Sequence, residues 1–160
     1  MRRTRSTWPV GNVEALPSVL PSLPMQRVFR APKPPLVLIV EPHVDTCDMY
    51  CDYFSHQDVS TITASNARDA LVIAMTEVPA TDVVVTNIKL PGELDGIDLV
   101  ARLRHNVRTR RIATIVLSAR TFSCDEERAW AAGCDVFVLK PCLPEVLLKQ
   151  VRRLLRIRGS

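Results

Sequence analysis

From Leu36 onward the hydrophobic positions fall into short apolar runs that alternate with stretches of three-and-four spacing. The runs LVLIV (36–40), VSTIT (59–63), DVVVTN (82–87), IATIVL (112–117) and DVFVL (135–139) are five or six residues long and rich in β-branched side chains. That is the form of strands buried on both faces of a parallel sheet. Between them the period lengthens to that of a helix. Asp45 is placed to cap a helix reaching about Ser55 or His56, with Cys47, Tyr50, Cys51 and Phe54 on one face. Ala67 to Glu77 turns Ala70, Leu71, Ala74 and Met75 inward, and Ile97 to Asn106 is a third helix with Ile97, Val100, Ala101 and Leu103 as its apolar positions. Ser123 and Glu126 have the spacing of a capping box, and Gly133 stands where that helix needs a left-handed residue. Pro144 opens a fifth helix at its favoured first position, with Leu147, Leu148, Val151, Leu154 and Leu155 as its apolar stripe. Five strand-helix pairs predict an α/β fold, a doubly wound five-stranded parallel sheet with right-handed crossovers.

Residues 1–35 do not share this pattern. They hold seven of the twelve prolines and no sustained periodicity, which predicts a disordered, Pro- and Arg-rich N-terminal extension. Leu16, Val19, Leu20 and Leu23 form a short apolar patch there, but Pro17 and Pro21 argue against a stable helix. The same segment has six Lys or Arg against Glu14, a net +5; the whole chain carries +4, so residues 36–160 carry −1. The basic character belongs to the extension, and the folded part gives no composition-level case for nucleic acid. Arg102, Arg104, Arg108, Arg110 and Arg111 cluster at the end of the third helix and hint weakly at an acidic partner. Lys149, Arg152, Arg153 and Arg156 read first as a solvated helix face.

A chain of 160 residues accommodates one core. It has no apolar run near the roughly 18 residues that would cross a bilayer, so no membrane association is expected. Five cysteines, odd in number and irregularly spaced, fit a reducing cytoplasm better than a disulfide scaffold or zinc site. Cys47 and Cys51, one helical turn apart, stand as a metal or redox pair or as small hydrophobes.

Ligands of parallel sheets bind beyond the carboxyl ends of the strands, and the third strand gives out at Asn87. Leu90, Pro91, Gly92, Asp95 and Gly96 then supply turn chemistry. The succession of strand, polar residue, Ile-Lys-Leu-Pro-Gly and Asp-Gly-Ile-Asp-Leu resembles the phosphoacceptor segment of receiver domains from bacterial two-component response regulators. The resemblance spans residues 36 to 157. It implies the CheY-like, flavodoxin-like strand order 2-1-3-4-5, a receiver domain over residues 36–158 and, with nothing after the last helix, no output domain. Glu41 matches the family's first metal-site acid, Ser118 the small hydroxyl residue that contacts the phosphoryl group, and Lys140 before Pro141 the phosphoryl-contacting lysine, whose following peptide bond is usually cis. Phe137 matches the aromatic residue that rotates on activation.

Two positions depart from the family. Pro42 replaces the second acid after the first strand, and Asn87 replaces the aspartate that accepts the phosphoryl group. An amide offers no carboxylate oxygen for in-line attack. A pocket reduced to Glu41, the neutral Asn87 oxygen and the Lys89 backbone carbonyl suits Mg2+ poorly, so its binding is expected to be weak or absent and no other cofactor is implied. Among neighbours, Asp82 lies about 16 Å away at the other end of its strand. His43, Asp45, Glu93 and Asp95 lie at the correct end, and Asp45 and Asp95 also sit where helix caps belong.

The retained marks have plainer readings too. Lys140 pairs with Glu41 as a structural salt bridge, Ser118 caps a loop, Phe137 is core. Leu143, where the family often carries a capping acid, leaves an apolar group beside the fifth helix. The expectation is a stand-alone pseudo-receiver in two-component phosphorelay signalling. It is not an enzyme, it acts independently of phosphorylation, and it contacts a histidine kinase or other regulator through the face of helix 4, strand 5 and helix 5, with homodimerisation as a variant of that contact. The rivals are an unconventional phosphoacceptor, a flavodoxin-like cofactor binder and a nucleic-acid adaptor acting through the basic extension.

Overall fold

The structure is a computed structural model that describes residues 33–76, 80–119 and 123–159. Most of the extension expected to be disordered, the end of the second helix at Glu77 and the Ser123 side chain of the expected capping box lie outside the described residues. The elements are β1 (Leu36–Val40), α1 (Val44–Ser55), β2 (Ser60–Ala64), α2 (Ala67–Thr76), β3 (Val83–Asn87), α3 (Gly96–His105), β4 (Ala113–Ser118), α4 (Ser123–Ala132), β5 (Val136–Leu139) and α5 (Pro144–Arg158). The strands form one parallel sheet in the order β2-β1-β3-β4-β5, as the resemblance implies.

Alternation along each strand divides the core. Val37, Ile39, Val83, Val85, Ile115 and Leu117 face α1 and α5, where Tyr50, Phe54, Leu147 and Val151 meet them. Leu38, Val40 and Val84 face the other way onto Ala70 of α2 and Leu99 and Leu103 of α3. Val116 joins Val100 and Ala129 beneath α3 and α4. The central strands are covered on both sides, which is why β1, β3 and β4 read as continuous apolar runs.

Several boundaries shift by one or two residues. α1 begins at Val44 with His43 at its N-cap, so Asp45 is not the cap but a first-turn acid, favourable to the helix dipole. α3 begins at Gly96 rather than Ile97. Asp95 caps it in a closed capping box, accepting from the Ile97 and Asp98 amides while Asp98 accepts from the Asp95 amide. β2 lies one residue later than the apolar run indicates because Val59 folds back onto Phe54 through its own amide. Gly133, at φ +93°, takes the left-handed position after α4.

At the amino end of the sheet Arg104 acts as a staple rather than as a surface charge. It donates to the carbonyls of Gly133 (2.7 Å) and Ile112 (2.7 Å), to Thr114 Oγ1 (2.9 Å) and to Asp135 (2.7 Å). The weak hint of an acidic partner in the basic cluster therefore excludes Arg104. Among the described residues no helix is long and apolar enough to cross a membrane.

Candidate functional site

The register of the sheet brings the carboxyl ends of β1, β3, β4 and β5 to one edge. Thr86 stands opposite Val40, Asn87 opposite Leu117, and Ser118 opposite Leu139. Glu41, Asn87, Ser118 and Lys140, singled out on separate strands in the sequence, thereby meet. Glu41 is 5% exposed, Asn87 7% and Ser118 3%.

The Glu41 carboxylate is the hub. Oε2 accepts from Asn87 Nδ2 at 2.7 Å and from Lys140 Nζ at 3.0 Å, while Oε1 accepts from the His43 amide at 3.0 Å. The Glu41 amide itself donates to the Ala64 carbonyl at 3.0 Å, fixing the turn out of β1. Lys140 and Glu41 thus form the expected ion pair, with the carboxylate side chain 2% exposed and the ammonium 23%. A carboxylate so deeply buried is tolerable because it is both paired and hydrogen-bonded. Asn87 turns its nitrogen to Glu41, and its buried Oδ1 has no hydrogen-bond partner among the described residues.

Two further ties hold Lys140. Its amide donates to the Ser118 carbonyl at 2.7 Å, and the Lys140–Pro141 peptide bond is cis. One residue further on, Cys142 accepts the Tyr50 hydroxyl through its carbonyl at 2.8 Å, which anchors the loop to α1. Tyr50 was legible only as an apolar-face residue; its hydroxyl has no signal in sequence.

A cavity of about 560 Å³ opens over this edge, and His43, Asn87, Lys89, Asp95, Ser118 and Lys140 are among its lining. Pro42 is not: it lines a neighbouring recess with Val44, Asp48 and Asp69. Of the four side chains at the correct end of the sheet, His43 and Asp95 reach the cavity, while Asp45 and Glu93 do not. Asp125, in the first turn of α4, also lines it. Both cavity aspartates are held by one cation, Arg128 meeting Asp95 at 3.0 Å and Asp125 at 3.4 Å. The sequence reading missed Asp125 and Arg128 because only the return of α4 past the mouth brings them near residues of β3. Phe137 is half-buried against Ile88, Ile97, Val100 and Val116. Among the described residues no three His, Cys, Asp or Glu side chains gather as a metal-binding set.

Comparison with known proteins agrees with this architecture. The response regulator receiver domain profile matches residues 37–152. The chain is 30% identical over 108 residues to the polar-differentiation response regulator DivK of Brucella anthropi, covering 68% of this chain and 85% of that protein. It is 28% identical over 119 residues to the response regulator SaeR of Staphylococcus aureus, covering 74% of this chain and 50% of SaeR, so it spans only half the length of that relative. Among solved structures, chemotaxis response regulator CheY4 of Vibrio cholerae aligns with a TM-score of 0.69 at 23% identity, covering 76% of this chain and 98% of that one. A CheY-like receiver domain protein from Methanospirillum hungatei aligns at 0.72 and 19%, covering 79% and 97%. At these identities the structural likeness speaks for the fold.

The chain belongs to the response regulator receiver domain family, whose members serve two-component signalling. Receiver domains work by contact with signalling partners such as kinases and other regulators, and are generally signalling rather than enzymatic domains.

Proposed function

We propose that this protein is a receiver that signals by contact, without phosphoryl transfer at residue 87. The observation that carries the reading is that donors of the chain itself engage both carboxylate oxygens of Glu41. Its two carboxylate oxygens already serve the Asn87 amide, the Lys140 ammonium and the His43 amide. The Lys140 charge thereby neutralises the single acid from within the chain.

The residues do not suit the Mg2+ that the family's chemistry implies. Magnesium asks for several carboxylate or water oxygens in octahedral array. Here one carboxylate is engaged by three donors, and Asn87 presents its nitrogen toward it. Nor does the amide replace the nucleophile, since attack on phosphorus needs an in-line carboxylate oxygen. The aspartates at the mouth are drawn off by Arg128, and Asp95 is also committed to capping α3.

The partner surface in this reading is the face of α4, β5 and α5. Trp130, Leu139, Leu143 and Val146 are large apolar residues left exposed on it, and a patch of this kind favours contact with another protein. Leu143 precedes α5 without offering a side-chain cap. The partner is a signalling protein of the same pathway, and a second copy of this chain would use the same face. We take residues 36–158 as the receiver, residues 1–35 as an extension to it, and the reducing cytoplasm as the compartment that suits its five free thiols.

The test is incubation of the purified chain with magnesium and acetyl phosphate, read by intact mass beside an Asn87→Asp variant. The expected result is no phosphoryl adduct on the native chain. An adduct would overturn the reading, and its position would identify the acceptor, with His43, Asp95 and Asp125 the first places to look.

A further inference from the structure

A second cavity, of about 310 Å³, lies at the opposite pole of the molecule, where β3 and β4 begin and α5 ends. Its lining brings Thr81, Arg108, Arg111 and Arg158 together over Leu154 and Leu155. Arg108 and Arg111 are exposed, and among the described residues neither side chain has a hydrogen-bond or ion-pair partner. Arg158 meets Asp135 at 2.9 Å, but the same carboxylate also takes Arg104 at 2.7 Å. One negative charge between two guanidiniums leaves one positive charge over.

The acid lining the cavity is Asp82, whose Oδ2 accepts from the Leu36 amide. Three positive charges against Asp82 leave two. A solvated basic surface would account for the arginines alone. It does not account for Thr81, which is 4% exposed and whose hydroxyl has no hydrogen-bond partner among the described residues. Buried hydroxyls are almost always satisfied, so an orphan beside unpaired arginines points to a missing ligand oxygen.

We propose that this cavity binds a small phosphate monoester as its dianion. The phosphoryl oxygens lie between Arg108 and Arg111, the enclosed Thr81 hydroxyl turns outward to donate to one of them, and the apolar part of the ester rests on Leu154 and Leu155. The guanidinium fork matches phosphate geometry, and the volume is at the lower end of that of small-ligand sites. The site is separate from the Glu41 edge and does not depend on the proposed function. A free metabolite and a phospholipid headgroup share this chemistry.

The experiment uses the full chain and phenyl phosphate, followed by calorimetry. We expect saturable binding in about the millimolar range. Arg108→Gln with Arg111→Gln weakens it about tenfold, and Thr81→Val about threefold. Both arginines are unpartnered and exposed, so the double variant keeps its fold. Absence of saturation by about 10 mM overturns the proposal, as does an affinity that the arginine pair leaves unchanged. Loss of binding in Lys140→Met but not in the arginine pair would place the ligand at the other pole and equally overturn it. Phosphatidylcholine vesicles containing phosphatidic acid distinguish the sources. Co-sedimentation displaced by phenyl phosphate identifies a lipid headgroup; failure to co-sediment, with phenyl phosphate still bound, identifies a free ester. Vesicle binding without phenyl phosphate binding overturns the cavity as the site.

Discussion

Glu41 Oε2 accepts two donors at once, an amide at 2.7 Å and an ammonium at 3.0 Å, and the state of the site follows from that one atom. Asn87→Asp removes the amide and sets a second carboxylate beside Glu41 in a position 7% exposed. One ammonium then faces two acids. The variant should lose about 1–3 kcal/mol of stability near pH 7. The like charge raises the folded carboxyl pKa above its unfolded value, so between the two the native state holds more protons than the unfolded state. The deficit is then present near neutrality and shrinks as the pH falls toward about 4. Urea midpoints at the two pH values check this, and an equal deficit at both would reject the charge argument. Lys140→Met leaves Glu41 buried without its counter-ion and should cost roughly 2–3 kcal/mol, most of it recovered by adding Glu41→Gln. A double-mutant cycle of urea midpoints measures that coupling. Asn87 was legible from the end of its strand, and Glu41, Ser118 and Lys140 only through the family resemblance; the register of the sheet then brings the four together. The engagement of both Glu41 oxygens was not legible, since it depends on which way the Asn87 amide turns and on where the His43 amide falls.

At the scale of elements, α3 approaches β3 so closely that only glycine fits at its first position. A Cβ at Gly96 would overlap the Asn87 carbonyl oxygen and crowd Thr86 Oγ1, while the Gly96 amide donates to Ile88 at 2.8 Å. Gly96→Ala should therefore lose about 2–4 kcal/mol by forcing α3 off the strand end. Gly92→Ala, at φ +98° with open space around it, should lose only about 1 kcal/mol through backbone strain. Equal urea midpoints for the two would refute the packing argument. In sequence both glycines carry the same turn signal, and only the packing of α3 separates them. The helix starts were legible to within two residues. Asp95 was placed where a cap belongs and is one; Asp45 was placed the same way and is not, because His43 already has extended backbone geometry and starts α1 without a side-chain cap. Leu99, fully buried, is not among the apolar positions that the spacing picks out; in the helix starting at Gly96, Leu99 and Leu103 lie one turn apart on the inner face.

For the whole molecule, both faces of the sheet carry protonated groups that burial keeps from ionising. The Tyr50 hydroxyl is pushed up to about 12, first by burial and then by Cys142 and Glu41, while it donates to the Cys142 carbonyl. The Cys47 thiol is pushed up to about 12 by burial and the neighbouring Cys51, and Cys134 to about 11 by burial and Asp135. These residues tie α1 and α4 to the sheet, so their ionisation is coupled to global unfolding rather than to a loop. Unfolded, the thiols and the phenol ionise near about 8.5 and 10. Above those values the unfolded chain holds fewer protons than the native one, and stability falls as the pH rises. The contribution of these groups is therefore complete at neutral pH, begins to erode near about pH 9 and continues to be lost as the pH rises through their folded values. Urea unfolding between about pH 7 and 11 should show a steady midpoint followed by a steep decline, and Tyr50→Phe should flatten the upper part of that decline. If Tyr50→Phe leaves the alkaline limb unchanged, the buried phenol is not among the groups whose protonation holds α1 against the sheet.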